Sequence, residues 1–278
     1  MIDNDSTEQS RRALAQLQTE IPNLYIQHNE QNLGLAAALN QGARFAQSLI
    51  PSEGFILLLD QDSEPQPGSI DSLLQGFHAL SCAGERVGAV GPTLQDADTG
   101  LSHGFHQQTR WRWRRVHPAA TDTQPVPCTN LNGSGTLMPL NIFLEQGGLD
   151  EALFIDHVDT EWSFRLLAAG YTLWGIPQAI FIHRMGQASI RYWLFGWRLW
   201  PSRSPARHYY LFRNAIWLMR RDYVSRVWKF WVVIKLLVTM LRELFLNPNR
   251  KQQARMMIYG VISGKYNKKI TGGGGDKV

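Results

Sequence analysis

The chain is poor in cysteine. Cys82 and Cys128 are the only two among 278 residues, too few for a disulfide framework or a zinc set, so a reducing compartment is expected. Charged residues are also scarce, at 18% against 44% hydrophobic. That balance excludes a disordered, solvating chain and fits a packed core. A membrane-spanning helix needs about 20 apolar residues with few charges. The longest apolar stretch, residues 227–246, is broken by Lys229, Lys235, Arg242 and Glu243. No secretory signal peptide is read at the start, and no internal repeat is evident. Tryptophan, by contrast, is plentiful: there are ten, most of them after residue 160. The net charge is +5, with Arg and Lys gathered at 110–115, 184–229 and 250–269. Such an excess suits nucleic acid, an anionic membrane surface or a phosphorylated substrate. No nucleic-acid-binding module is recognisable, so nucleic acid is not an expected partner.

Local patterning predicts alternating helices and strands. Residues 7–20 read as a helix capped by Ser6 or Thr7. A short strand is predicted at 24–26, a turn at Asn32-Leu33-Gly34, and an Ala-rich helix over 35–48. Phe55 to Leu59 is a continuous apolar run, as in a strand buried on both faces, and it stops at Asp60. A helix near 69–80 and a strand at 87–91 follow. Residues 92–130 read as polar, aromatic and basic, without clear elements. A strand at 133–138, a helix ending at Gly147-Gly148, a helix over 159–169 and short strands at 171–176 and 179–183 complete the α/β region. This alternation predicts a Rossmann-like, doubly wound α/β sheet, whose ligands sit beyond the carboxyl ends of the strands. Asp3 and Asp60 are expected on that edge. Met1 to Ser6 looks like the end of a strand, so a first strand and helix are expected to be missing. Gly272 to Gly275 reads as a flexible tail.

Three constellations carry chemistry. Asp60-Gln61-Asp62 places two carboxylates just past a buried strand, a pattern that suits Mg²⁺ or Mn²⁺ and leaves positions for substrate phosphates. Such a metal neutralises charge on a departing diphosphate. Asp156-His157-Val158-Asp159-Thr160-Glu161 sets three acids at the start of a helix. One is explained by capping and the helix dipole; three exceed that need. Displacement at a sugar carbon requires a base to take the proton of the incoming hydroxyl. Asp159 is the candidate base, and Glu161 the supporting or acceptor-positioning acid. His183 closes an apolar strand and is a candidate third metal ligand. Asp3, Asn32 and Asn40 are candidates for hydrogen bonds to a nucleobase or ribose, though each also suits a turn or cap. Arg110 to Arg115 alternates Arg with Trp, suited to a phosphate-bearing acceptor or a membrane interface.

Taken in order, several segments resemble the family 2 glycosyltransferases, and within them a rhamnosyltransferase-like branch. They are Ile2-Asp3-Asn4-Asp5-Ser6, Asn32-Leu33-Gly34, Asp60-Gln61-Asp62-Ser63 and Gly147-Gly148-Leu149-Asp150-Glu151. Phe154 to Trp162, His183-Arg184-Met185-Gly186 and Tyr209-Tyr210-Leu211-Phe212-Arg213-Asn214 continue the series. The resemblance implies an inverting enzyme of the GT-A fold, a mixed sheet flanked by helices. It implies that Asp3 contacts the nucleotide base, that Asp60 and Asp62 serve ribose and metal, and that Asp159 is the base. Asn32, Gly34, Asn40, Gln61 and Arg213 would join the nucleotide-sugar site. Gly135, Trp162 and Asp156 would line the acceptor side, and Asp62 with His183 would hold the metal. The usual Glu-Asp of the family is Val158-Asp159 here, and Asp156 is an extra carboxylate. The best-matching donor is dTDP-L-rhamnose, and the acceptor a glycan or lipid-linked glycan of cell-surface polysaccharide synthesis.

Residues 1–215 are therefore expected to form the catalytic domain, and 216–278 a basic, aromatic extension. Charges spaced through 227–246 predict a helix lying in the membrane interface, placing the enzyme on the inner face of the cytoplasmic membrane. Two other readings are a phosphohydrolase with Asp60 as nucleophile and Asp62 as acid, and a non-catalytic homologue.

Overall fold

The computed structural model describes residues 1–51, 53–119, 121–183, 189–193, 197–201 and 203–266. The segment Arg184-Met185-Gly186 and the tail Gly272–Gly275 fall outside the described residues.

The chain opens with β1 (Ile2–Asn4), α1 (Glu8–Glu20) and β2 (Gln27–Asn29). Thr7 caps α1, its hydroxyl accepting from Ser10 N at 3.3 Å. β1 and β2 pair in parallel, Asp3 opposite His28. The predicted strand at 24–26 thus forms three residues later. α2 (Leu35–Ala46) starts at Gly34, whose φ is +88° and where a Cβ would come within 2.5 Å of the Phe154 ring. Only glycine fits that junction.

β3 (Phe55–Leu57), β4 (Ser63–Pro65), α3 (Ser69–Cys82) and β5 (Val87–Asp96) follow. The stretch predicted to be elementless contains β6 (Phe105–Gln108), β7 (Trp113–Val116) and β8 (Val126–Cys128). β6 and β7 form an antiparallel pair built on the Arg-Trp alternation. β9 (Leu137–Pro139), α4 (Leu140–Glu145), α5 (Val158–Ala168) and β10 (Thr172–His183) complete the sheet layer. The two short strands predicted at 171–183 are one strand, bulged between Ile176 and Ile180 where it pairs with β5. β11 (Ser189–Trp193) pairs antiparallel with β12 (Trp197–Pro201), and α6 (Pro205–Met219), α7 (Arg226–Leu246) and α8 (Arg250–Tyr266) end the chain.

The main sheet has the order β3-β9-β5-β10-β4, with β8 also against β10. β5 and β10 run parallel, while β9 is antiparallel to both β3 and β5. The sheet is therefore mixed, not a doubly wound parallel one. Residues of the β3 run alternate between two apolar layers. Phe55 and Leu57 pack with Leu73 and Phe77 of α3, whereas Ile56 and Leu58 join the core under α4 to α7. Burial on both faces explains the unbroken apolar run. The same core contains Ala215, Leu218, Trp228, Val232, Leu236 and Met257. The division predicted at 215/216 falls inside α6, and the carboxyl-terminal helices share one core with Ile56 and Leu58.

Candidate active site

β3 delivers Asp60 to the sheet edge, and β10 delivers His183 beside it. Pairing of His183 with Ser63 across the β10–β4 ladder fixes their approach. Ligand atoms of Asp60, Asp62 and His183 all lie within 4.8 Å of one another. His183 Nδ1 is 2.6 Å from Ser63 Oγ and 3.3 Å from Asp62 Oδ1. Ser134 donates to Ser63 Oγ at 2.6 Å and accepts from Asp60 N at 3.3 Å. Two carboxylates and an imidazole, braced by two hydroxyls, form a donor set that fits a divalent cation such as Mn²⁺. Burial raises the Asp60 pKa, opposed by His183 and reinforced by Asp62. Gln61 is exposed on the same turn.

Asp159 stands at the first turn of α5. Burial is the main cause of its raised pKa; Thr160 N, donating at 2.8 Å, counteracts it, and the nearby charges of Asp156 and Asp60 push it further up. A carboxylate with a raised pKa is a better proton acceptor near neutrality than an exposed one. The loop that aims it is strained. Phe154, Asp156 and His157 all have positive φ, at 66°, 58° and 64°. Non-glycine residues hold that conformation only where their surroundings enforce it. Here Asn214 enforces it, its amide donating to Leu153 O, Ile155 O and Asp156 O at 2.7–2.9 Å. Arg213 adds donations to Ala152 O and Leu153 O at 2.8 and 3.0 Å.

Several residues expected at the substrate have partners within the protein. Glu161 is 0% exposed and accepts from Arg165, Arg221 and Tyr223. It ties α5 to the segment after α6 and has no open face for an acceptor. Trp162 is buried against Phe143, at 5.1 Å between ring centroids. Asn40 is buried and pairs with the Leu149 backbone in both directions. Arg213 is buried and engaged with carbonyls, and Gly135 has φ +78° with no room for a side chain against Pro92. Asn32 accepts from Gly34 N at 2.9 Å and so shapes the start of α2. The Asp3 carboxylate is fully covered. Although burial opposes it, hydrogen bonds from Ser6 and His28 and the charge of Arg11 lower its pKa to about 2. Asp156 is paired with Arg207 at 2.9 Å and Arg203 at 3.7 Å. The α5 loop clamp by Asn214 was missed as a functional feature, although its Arg-Asn pair lies in a segment that the sequence singles out.

A family model described as Glycosyl transferase family 2 matches residues 1–143. The chain belongs to glycosyl transferase family 2. It is 30% identical over 246 residues to the dTDP-rhamnosyl transferase RfbF of Shigella flexneri, covering 87% of this chain and 78% of that protein. It is 23% identical over 257 residues to an N-acetylglucosaminyl-diphospho-decaprenol L-rhamnosyltransferase of Mycobacterium tuberculosis, covering 82% and 76%. Among solved structures, it resembles GalNAc-T7 with UDP, GalNAc and Mn²⁺ (TM-score 0.55, 17% identity, 95% of this chain). The chain spans 49% of that structure's length. It also resembles the mannosyltransferase PcManGT from Pyrobaculum calidifontis in complex with GDP-Man and Mn²⁺ (TM-score 0.51, 13% identity, 96% and 77% covered). The family 2 chain is thus a glycosyltransferase of GT-A fold, similar to rhamnosyltransferases, and sugar transfer is favoured over phosphohydrolysis.

Proposed function

We propose that this glycosyltransferase moves L-rhamnose, with inversion, from dTDP-L-rhamnose to a sugar carried on a diphospho-lipid during cell-surface polysaccharide synthesis. The observation that supports this reading is the buried carboxylate of Asp159, whose pKa is raised by burial and by the charges of Asp156 and of Asp60 in the Asp60-Asp62-His183 cluster. Asp159 takes the proton of the acceptor hydroxyl as its oxygen bonds to the sugar's anomeric carbon. The bond from that carbon to the nucleoside diphosphate breaks on the opposite side. Asp60, Asp62 and His183 would hold Mg²⁺ or Mn²⁺, which supplies positive charge to the departing diphosphate. The strained loop held by Asn214 keeps Asp159 at its station, so that little reorganisation is needed at the moment of transfer.

Position at the inner face of the cytoplasmic membrane belongs to the same reading. Among the described residues, no helix is long and apolar enough to cross a membrane. α7 exposes Phe230, Leu237, Leu241, Phe245 and Leu246, and α8 exposes Ile258 and Ile262 beside Arg250, Lys251 and Arg255. An apolar face flanked by cations suits an anionic interface. Gln61 at the nucleotide-sugar and Asp156 on the acceptor side belong to the same proposal.

The test is thermal unfolding with Mn²⁺ and a panel of nucleotide-sugars. Ligand at one hundred times its dissociation constant stabilises the folded state by about 2.7 kcal/mol. dTDP-L-rhamnose is expected to raise the transition temperature, and Asp62→Ala to abolish the rise. A panel in which no nucleotide-sugar stabilises the chain refutes the reading.

A further inference from the structure

Helix α7 packs against the loop that carries Asp159, Trp228 meeting the ring of His157. Along α7, Trp228, Val232, Leu236 and Thr239 are buried. Lys235 lies seven residues after Trp228, hence within about 20° of the same direction and about 10 Å further along the axis. Trp228 meets the His157 ring edge-on at 5.5 Å, two residues before Asp159. Lys235 therefore sits on the helix stripe turned toward the Asp156–Asp159 loop, yet it is exposed. Its charge acts on the buried rings of His157 and His106. Crowding by protein, then Arg203 and Arg115, lower the Lys235 pKa to about 8, with Asp156 and Asp159 acting the other way. The ammonium is charged at neutral pH.

Cations gather beside this loop. Arg203 and Arg207 share the carboxylate of Asp156. Arg203 Nε is buried without a hydrogen-bond acceptor, and an unmet buried donor is costly. Asp159 thus has an acidic, metal-suited cluster on one side and a cationic arc on the other. Opposite faces of α7 carry different chemistry. Lys235 lies on the stripe turned toward the His157 loop, while Phe230, Leu237 and Leu241 are exposed and apolar. A ligand with an anionic head and an apolar tail matches both faces.

We propose that Lys235, with Arg203, binds the diphosphate of a lipid-linked acceptor and so brings the acceptor hydroxyl to Asp159. The inference rests on the proposed sugar transfer at Asp159 and names the residues that hold its acceptor. The nucleotide's own diphosphate is the competing occupant. Calorimetric titration of the full chain with geranyl diphosphate, in the absence of divalent metal, separates the two. Wild type is expected to bind. Lys235→Met is expected to weaken binding about tenfold or more, the loss of one charge-assisted contact. Lys235→Arg should stay within a few-fold of wild type, and Asp62→Ala should be unchanged. Three results overturn the inference: no binding by wild type, equal binding by Lys235→Met, or a loss in Asp62→Ala as large as in Lys235→Met. Donor binding is read separately, as stabilisation by nucleotide-sugar with Mn²⁺. Its retention in Lys235→Met shows that this variant is folded. Its absence in wild type sinks the proposed function, whereas normal donor binding without a Lys235 effect sinks this inference alone.

Discussion

Replacing Glu161 separates a structural acid from a catalytic one. Its side chain is 1% exposed and receives Arg165 Nε at 2.9 Å, Arg165 Nη2 at 2.8 Å, Arg221 Nη1 at 2.9 Å and the Tyr223 hydroxyl at 2.6 Å. Breaking a buried ion pair by removing one partner costs about 3–5 kcal/mol, because the other charge stays behind. Here the two guanidiniums keep 23% and 26% exposure. They also retain other acceptors: Gly148 O and Gln146 O for Arg165, and Asp150 for Arg221. The lower end applies, so Glu161→Ala is expected to lose about 3 kcal/mol. In a chain of this size each kcal/mol shifts the transition by about 2–4 °C, giving a fall of roughly 6–12 °C. Glu161→Gln keeps the shape and loses only the charge, and should fall between. The assay is thermal unfolding followed by circular dichroism, with transfer rates measured well below the transition. A folded Glu161→Ala protein should transfer sugar at a rate near wild type. An unchanged transition together with abolished transfer would refute the reasoning and return Glu161 to the substrate.

The opposite trade is expected at Asp159. Its pKa is raised in the fold, so the folded state holds the proton more tightly than the unfolded chain. The ionised form therefore costs stability, fully so above the folded pKa, and the cost vanishes as pH falls below the unfolded value of about 3.9. Asp159→Asn should raise the transition temperature at neutral pH, with the gain shrinking toward acid, while transfer falls by about 10²-fold or more. A variant destabilised at pH 7, or one that still transfers, contradicts this. On the membrane side, Phe245 and Leu246 are 77% and 73% exposed. Insertion of such side chains contributes about 1.5–3 kcal/mol each. Changing both to Glu should weaken flotation with phosphatidylglycerol vesicles by at least about tenfold, and equal flotation would remove the interfacial role of α7.

Much of the site's floor was legible in the sequence because it is local. The apolar run ending at Asp60 needs two covered faces, and that requirement alone puts the Asp-x-Asp pair at a sheet edge. The helix signals at Thr7 and at Gly34 work the same way, since capping chemistry and positive φ are properties of a few consecutive residues. Charge spacing in 227–246 likewise predicts a non-spanning helix, in keeping with α7. The hairpin of β6 and β7 was not legible, because its pairing depends on a distant partner layer and its Arg-Trp alternation equally suits a solvated loop.

What the sequence could not distribute was work among carboxylates that look alike. Asp156, Asp159 and Glu161 lie within six residues, and nothing local says which will be neutralised. Tertiary structure decided it: Arg203 and Arg207 from around α6 claim Asp156, and Arg221 with Arg165 claims Glu161. Asp159 keeps a raised pKa because burial disfavours its charge and the charges of Asp156 and Asp60 add to that, and a carboxyl group's reactivity is set by the charges and burial around it. Lys235 shows the same division. The sequence makes it an interruption in an apolar run, and only the packing of α7 against the His157 loop turns it into a cation beside the Asp156–Asp159 loop.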